Sequence, residues 1–274
     1  MIEYGKKLII MFSKEHLDFL RKNRKRKIII GLVQILIVIT FLIIWELLSY
    51  MEILNPFLYS APSKVFNTIL QLFISNNLLE HITITLYETL ISFFIASVIG
   101  FIVASIFWWN NFLFKVFDPY LTILNSLPKV ALGPLIIIWV GASTNSIIIM
   151  ALLISTFISI LNIYNAFNST DKDLITLMKS LKASKYQIFF KVIVPSNLRN
   201  IVSSFKINIS MSLIGVIMGE LLVSKKGLGY LIMYGSQVFN INLTITATFI
   251  LGIISYLMYL IINKLDIYIE KKQN

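Results

Sequence analysis

Six apolar runs, at about 28–50, 82–107, 119–140, 146–166, 204–223 and 243–263, are long enough to cross a hydrocarbon core as helices. No other feature narrows the possible folds as much. The chain is 57% hydrophobic over 274 residues, whereas water-soluble domains carry roughly 45–50% apolar residues. One aqueous core could not hide that surface. The runs therefore predict an all-α membrane protein with about six transmembrane helices, and the bilayer is its first partner.

The formal charge of +11 has to be placed on that frame. The basic residues lie between the apolar runs and form no stripe with interleaved aromatics, so nucleic acid is not the implied partner. Nine Lys and Arg precede the first run, Lys115 follows the second, seven lie from Lys172 to Lys206, and three follow the sixth. With the N-terminus inside, these twenty of twenty-four face the cytoplasm, as the positive-inside rule requires. Lys64, Lys225 and Lys226 then face outward, and Lys129 is unassigned. Both termini are expected in the cytoplasm of a multi-pass membrane protein. The first run has no small-residue cleavage site after it and reads as an uncleaved helix.

One membrane domain is expected over 28–263, preceded by a basic cytoplasmic segment (1–27) and followed by a cytoplasmic tail (264–274). Cysteine is absent, which excludes disulfides, thiolate nucleophiles and cysteine metal sites. His16 and His81 have no partners at ligand spacing, so surface or interface roles are expected of them and no metal. Trp108 and Trp109 read as an interfacial belt. After the first run, 55–63 reads as a turn feeding an amphipathic helix to about Leu72.

Pro119, Pro128 and Pro134 interrupt the third run, and Lys129 lies within it. Broken backbone at membrane depth persists only where protein or a wet cavity satisfies it. Leu127, Pro128, Lys129, Gly133, Pro134 and Trp139 are therefore candidates for a pathway or gate, with a kinked, packed helix as the plain alternative. Glu220, near the outer end of the fifth run, is either paired structurally or a substrate contact. Glu46 in the first run is similar, and Gly227 and Gly229 are expected to permit a tight outer turn.

Between the fourth and fifth runs lies an amphipathic loop, about 167–203, long enough that a role is expected of it. Leu174, Leu177, Met178 and Leu181 share one helical face, with Thr170 and Asp173 as a capping pair and an end near Lys182. Ser184 can cap a second short helix bearing Ile188, Phe189 and Val192, which Pro195 is expected to stop. Two short helices at a bend make a compact knob. It is either a docking surface or a loop packed on its own helix ends.

At these residues the chain resembles the permease subunits of bacterial ATP-binding-cassette importers, in particular the nitrate, sulfonate, taurine and bicarbonate group. Their cytoplasmic "EAA" loop ends in Leu-Gly-Ala-Ser, a short helix, a hydrophobic residue and Pro; here Leu181-Lys-Ala-Ser184 is followed by Phe189-Phe-Lys-Val-Ile-Val-Pro195. Three more stretches resemble the group in the same order: Ile44–Ser49, Leu127–Gly141 and Gly219–Ile232. Thr176-Leu-Met178 stands in place of Glu-Ala-Ala, and Lys182 in place of Gly.

The resemblance implies a type I importer permease fold with a coupling-helix loop between spans four and five. It implies a subunit that forms the translocation pathway, pairs with a second permease copy, usually identical, and receives substrate from an extracytoplasmic binding protein. ATP and Mg would be bound by separate ATPase subunits, so no cofactor and no enzymatic activity are expected of this chain. Consistently, it contains no Gly-x-x-x-x-Gly-Lys-Ser/Thr phosphate loop. The implied docking residues are Leu177, Met178, Leu181, Lys182, Ala183, Ser184, Tyr186, Phe189 and Pro195. An ion-gradient-driven carrier or channel would leave the knob unexplained and offers few intramembrane acids. A membrane-embedded enzyme would need clustered His, Asp or Ser in its spans, and none is seen.

Overall fold

The computed structural model describes residues 14–75 and 77–273. Lys6 and Lys7, part of the basic segment, lie outside the described residues. Chain contacts divide the molecule after Lys64 into two units. In the first, one helix, α1 (Lys14–Tyr50), carries the basic run and the first apolar run without interruption. A single turn, α2 (Pro56–Tyr59), is capped by Asn55, whose side chain accepts from the Phe57 N–H. At the start of α3 (Pro62–Ile74), Glu46 accepts from the Ser63 N–H at 3.0 Å and from its hydroxyl at 2.8 Å. A carboxylate at a helix N-terminus satisfies orphan donors and opposes the helix dipole. Glu46 is thus a cap.

The second unit is built on α4 (Asn77–Trp109), α7 (Thr144–Asn168), α11 (Leu198–Val223) and α13 (Ile241–Gln273), all long and apolar enough to cross a bilayer, as is α1. Small residues let three of them approach closely: a Cβ on Gly215 of α11 would stand 2.4 Å from the Ala151 Cα of α7. Lipid supplies no hydrophobic drive between helices, so such contact, with interhelical hydrogen bonds, holds the bundle. Asn208 Nδ2 donates to Ser97 Oγ at 2.7 Å, and Lys206 ties α11 to Asn263 and Asp266 of α13.

The third run differs from a simple span. It begins earlier, with α5 (Asn111–Ser126), breaks at Leu127 and Pro128, and resumes as a 3-10 turn (Lys129–Leu132) leading into α6 (Gly133–Val140). The two halves meet at 84°. Only Pro128 marks the break. Pro119 lies inside α5, and Pro134 lies in the first turn of α6, where the missing N–H costs nothing. A further helix not expected from the sequence, α12 (Leu228–Gln237), follows the glycine turn and packs Leu228 and Leu231 against Ala247 and Ile250 of α13.

Candidate functional site

The knob between α7 and α11 is assembled from local rules. Helix α8 (Lys172–Ser180) is capped by Asp171, whose carboxylate accepts from the Asp173 N–H at 2.9 Å. The expected pair of Thr170 and Asp173 is not formed. Buried Thr170 instead donates to the Phe167 carbonyl at 3.0 Å and accepts from the Asn197 amide.

The end of α8 is a Schellman motif. The Ala183 N–H reaches the Met178 carbonyl at 3.0 Å and the Lys182 N–H reaches that of Lys179 at 2.9 Å. This requires a left-handed residue at 182, and Lys182 adopts φ 58°. Ser184 then caps α9 (Lys185–Ile188) through a reciprocal pair with Gln187, at 3.2 and 2.8 Å.

Pro195 does not stop this helix. A π-turn over Phe189–Ile193 widens the coil, and the helical path continues through α10 (Val194–Ser196) to Asn197. Asn197, which sequence reasoning missed, is buried and joins three segments. Its Nδ2 donates to the Ile193 carbonyl at 2.9 Å and to Thr170, while its Oδ1 accepts from Ser169 at 3.1 Å and Asn200 at 3.2 Å. An asparagine just past a proline at a helix junction is the only sequence signal for it.

The docking candidates separate into two groups. Leu177 and Tyr186 (63% exposed) face outward, as does Leu181 (69% exposed). Lys182, Ser184 and Pro195 are also exposed. Phe190 belongs with them; it is exposed and its ring lies 4.5 Å from that of Tyr186. Phe189, expected on that surface, is 1% exposed. Its ring packs 4.9 Å from both Trp108 and Trp109 and 5.3 Å from Phe167, so it anchors the knob and does not present it. Met178 and Ala183 pack partly into the same core. Trp108 and Trp109 thus clamp Phe189 as well as ending α4, and Lys185 donates to the Trp109 carbonyl.

At the break in the third run, Leu127, Pro128 and Pro134 are exposed, and Trp139 is 75% exposed. Lys129 turns back to Asn125, donating to its carbonyl at 3.2 Å and to Oδ1 at 3.1 Å, with the Phe157 ring 5.7 Å away. Gly133 is buried where a Cβ would meet Leu222 at 2.5 Å.

Glu220 is paired. Its Oε1 accepts from Thr85 at 2.6 Å and its Oε2 from the Gly229 N–H at 2.6 Å. Thr85 Oγ1 also accepts from the Leu228 N–H at 2.9 Å, and His81 Nδ1 accepts from the Gly227 N–H at 2.9 Å. Gly227 has φ 107°, and a Cβ there would lie 2.3 Å from Glu220 Oε1. Glu220, the two glycines, Thr85 and His81 therefore make one knot that seats the start of α12 on α4 and α11. His81 is a buried acceptor within it. Beside the knot, Glu88 meets Glu220 and Thr144, and a cleft of about 570 Å³ is lined by Glu88, Ser143, Thr144, Ser224 and Lys225 among others.

The family described as "Binding-protein-dependent transport system inner membrane component" matches residues 96–274. The formylaminopyrimidine transport permease protein of Halalkalibacterium halodurans is 27% identical, over 82% of this chain and 89% of that protein. The taurine transport system permease protein of Escherichia coli is 21% identical, over 80% and 82%. Among solved structures, a chain of the inward-facing methionine ABC transporter MetNI aligns with a TM-score of 0.64 at 21% identity, covering 72% of this chain and 97% of that one.

Proposed function

This chain belongs to the binding-protein-dependent transport inner membrane component family, and from that premise we propose that it forms the translocation pathway of an ATP-driven importer and couples it to separate ATPase subunits through the knob. The family makes it an ABC importer permease subunit in the membrane. The observation that carries the coupling role is the division of labour within 171–197. Leu177, Leu181, Tyr186 and Phe190 are exposed on short helices whose caps are complete, while Phe189, Ile188 and Ile193 root the same segment in the bundle. A surface of exposed aromatic and aliphatic side chains on a rigid support is what a partner cleft requires.

In this reading both termini and the knob are cytoplasmic, and the Glu220 knot lies at the outer end. ATP held by two partner ATPases draws them together and pulls the docked knobs. The bundles rock as bistable units, opening the pathway outward to an extracytoplasmic binding protein; hydrolysis in the partner restores the inward-facing state. A second copy of this chain completes the pathway, and Leu127–Pro134 with Trp139 lies along it. The break at Pro128 supports that placement, because it leaves backbone outside regular helix at exposed Leu127 and Pro128, next to half-buried Lys129. The substrate is a small anion such as a sulfonate, nitrate or bicarbonate, or a vitamin precursor. The taurine and formylaminopyrimidine transport relatives support the sulfonate and the vitamin precursor within that range.

The test is affinity capture of the tagged chain from its native membrane, with co-purifying proteins identified and ATPase activity assayed. Recovery of an ATP-binding-cassette subunit that is lost on Leu181→Asp is expected. A pure chain that moves solute in proteoliposomes without any ATPase would overturn the reading in favour of an ion-coupled carrier.

A further inference from the structure

The basic run 21–27 contains six Lys and Arg among seven residues, and α1 passes through it without a break into the first apolar run. At about 100° per residue, the six basic positions leave no gap wider than about 100° around the helix axis. Arg21, Lys22, Arg24, Lys25 and Arg26 are all exposed. The charge therefore forms a collar. A one-sided stripe would suit a protein groove or a nucleic-acid backbone, whereas a collar meets the same chemistry on every side.

Its height and position identify that chemistry. Six helical steps from Arg21 to position 27 rise about 9 Å, and the polar layer on each side of a hydrocarbon core is about 5–8 Å thick. The apolar run begins at Ile28, directly after the collar. A helix whose apolar part lies in hydrocarbon must then hold its collar at the depth of the phosphates. We propose that residues 21–27 bind the headgroups of anionic phospholipids as an annulus around α1. Guanidinium and ammonium groups suit phosphate oxygens at this depth, and long stems let them reach outward while the helix stays upright.

The test uses the full-length chain reconstituted in bilayers of phosphatidylcholine with and without a quarter of phosphatidylglycerol. Spin-labelled lipids report the motionally restricted fraction at the protein surface. The wild type is expected to select phosphatidylglycerol over phosphatidylcholine by roughly threefold. Selection should fall towards unity in 0.5 M NaCl and in the variant with all six basic residues changed to Gln. Millimolar inorganic phosphate should leave it unchanged, because the site is a membrane layer and not a phosphate pocket. Equal selection in the variant overturns the proposal, as does loss of selection in millimolar phosphate. Should the variant fail to insert, salt-insensitive selection by the wild type alone overturns it. The chain has no cysteine, so a nitroxide on Asn23→Cys gives an independent depth: a label in bulk water, away from the phosphates, overturns it as well.

Discussion

Lys182 shows how a departure from a sequence pattern is absorbed. The turn after α8 needs a left-handed residue for its two carbonyl contacts, and Lys182 supplies it at φ 58°. A left-handed L-residue costs about 1–2 kcal/mol, part of which glycine gives back as chain entropy in the unfolded state. Lys182→Gly should therefore stabilise the chain by about 0.5–1 kcal/mol, raising the midpoint of thermal unfolding in detergent by about 2 °C. Lys182→Val should lower it, since a β-branched residue is disfavoured there. Equal midpoints for Gly and Val would mean that the turn relaxes.

The outer knot gives a second prediction at this scale. Glu220→Ala leaves the Thr85 hydroxyl and the Gly229 N–H without their buried acceptor, at about 1–3 kcal/mol each. Glu220→Gln keeps one acceptor oxygen and should lose less, measured in the same unfolding experiment. That Glu220 is paired was one of the two readings open from sequence. That its partners include Thr85, 135 residues away, was not, because no local pattern encodes so distant a contact. His81 escaped for the same reason: its donor, the Gly227 N–H, is 146 residues away.

At the scale of elements, what could be read from the sequence was what short-range chemistry decides. The apolar runs mark the long helices, the capping box of Ser184 and Gln187 is present as Ser-x-x-Gln, and prolines mark the third run as irregular. The 84° turn could not be read, since Pro128 ends a helix without setting where the next one points. Helix α12 was missed because the short, largely apolar stretch after Gly227 resembles the approach to the last span, and only packing on α13 makes it a separate element. Helix contact itself can be tested at glycines. Gly215→Leu drives a side chain into the Ala151 backbone and should separate α7 from α11, with at least the 1–3 kcal/mol of an overpacked core. Gly252, with nothing within 4 Å of its Cβ position, should accept Ala at no cost. Expression and detergent stability of the two variants, compared side by side, separate close approach from glycine chemistry in general.

At the scale of the whole molecule, an importer needs its docking surface and its pathway to move as one body, and the knob is fastened at two places. Asn197 hydrogen-bonds it to the end of α7 and the start of α11, and Phe189 is held between Trp108, Trp109 and Phe167. In the proposed reading the exposed residues would touch the partner and the buried phenylalanine would carry the force. The two roles can be cut apart. Phe189→Ala removes buried aromatic contact at about 3–5 kcal/mol while leaving Leu181 and Tyr186 in place, so the ATPase subunits should still co-purify. Uptake should fall at least tenfold while ATP hydrolysis in the reconstituted complex persists, because the stroke no longer reaches α4 and α7. Phe189→Leu should restore most of the coupling by refilling the cavity. If Phe189→Ala instead releases the ATPase as Leu181→Asp does, anchoring and docking are one function, and the force enters the bundle by another route.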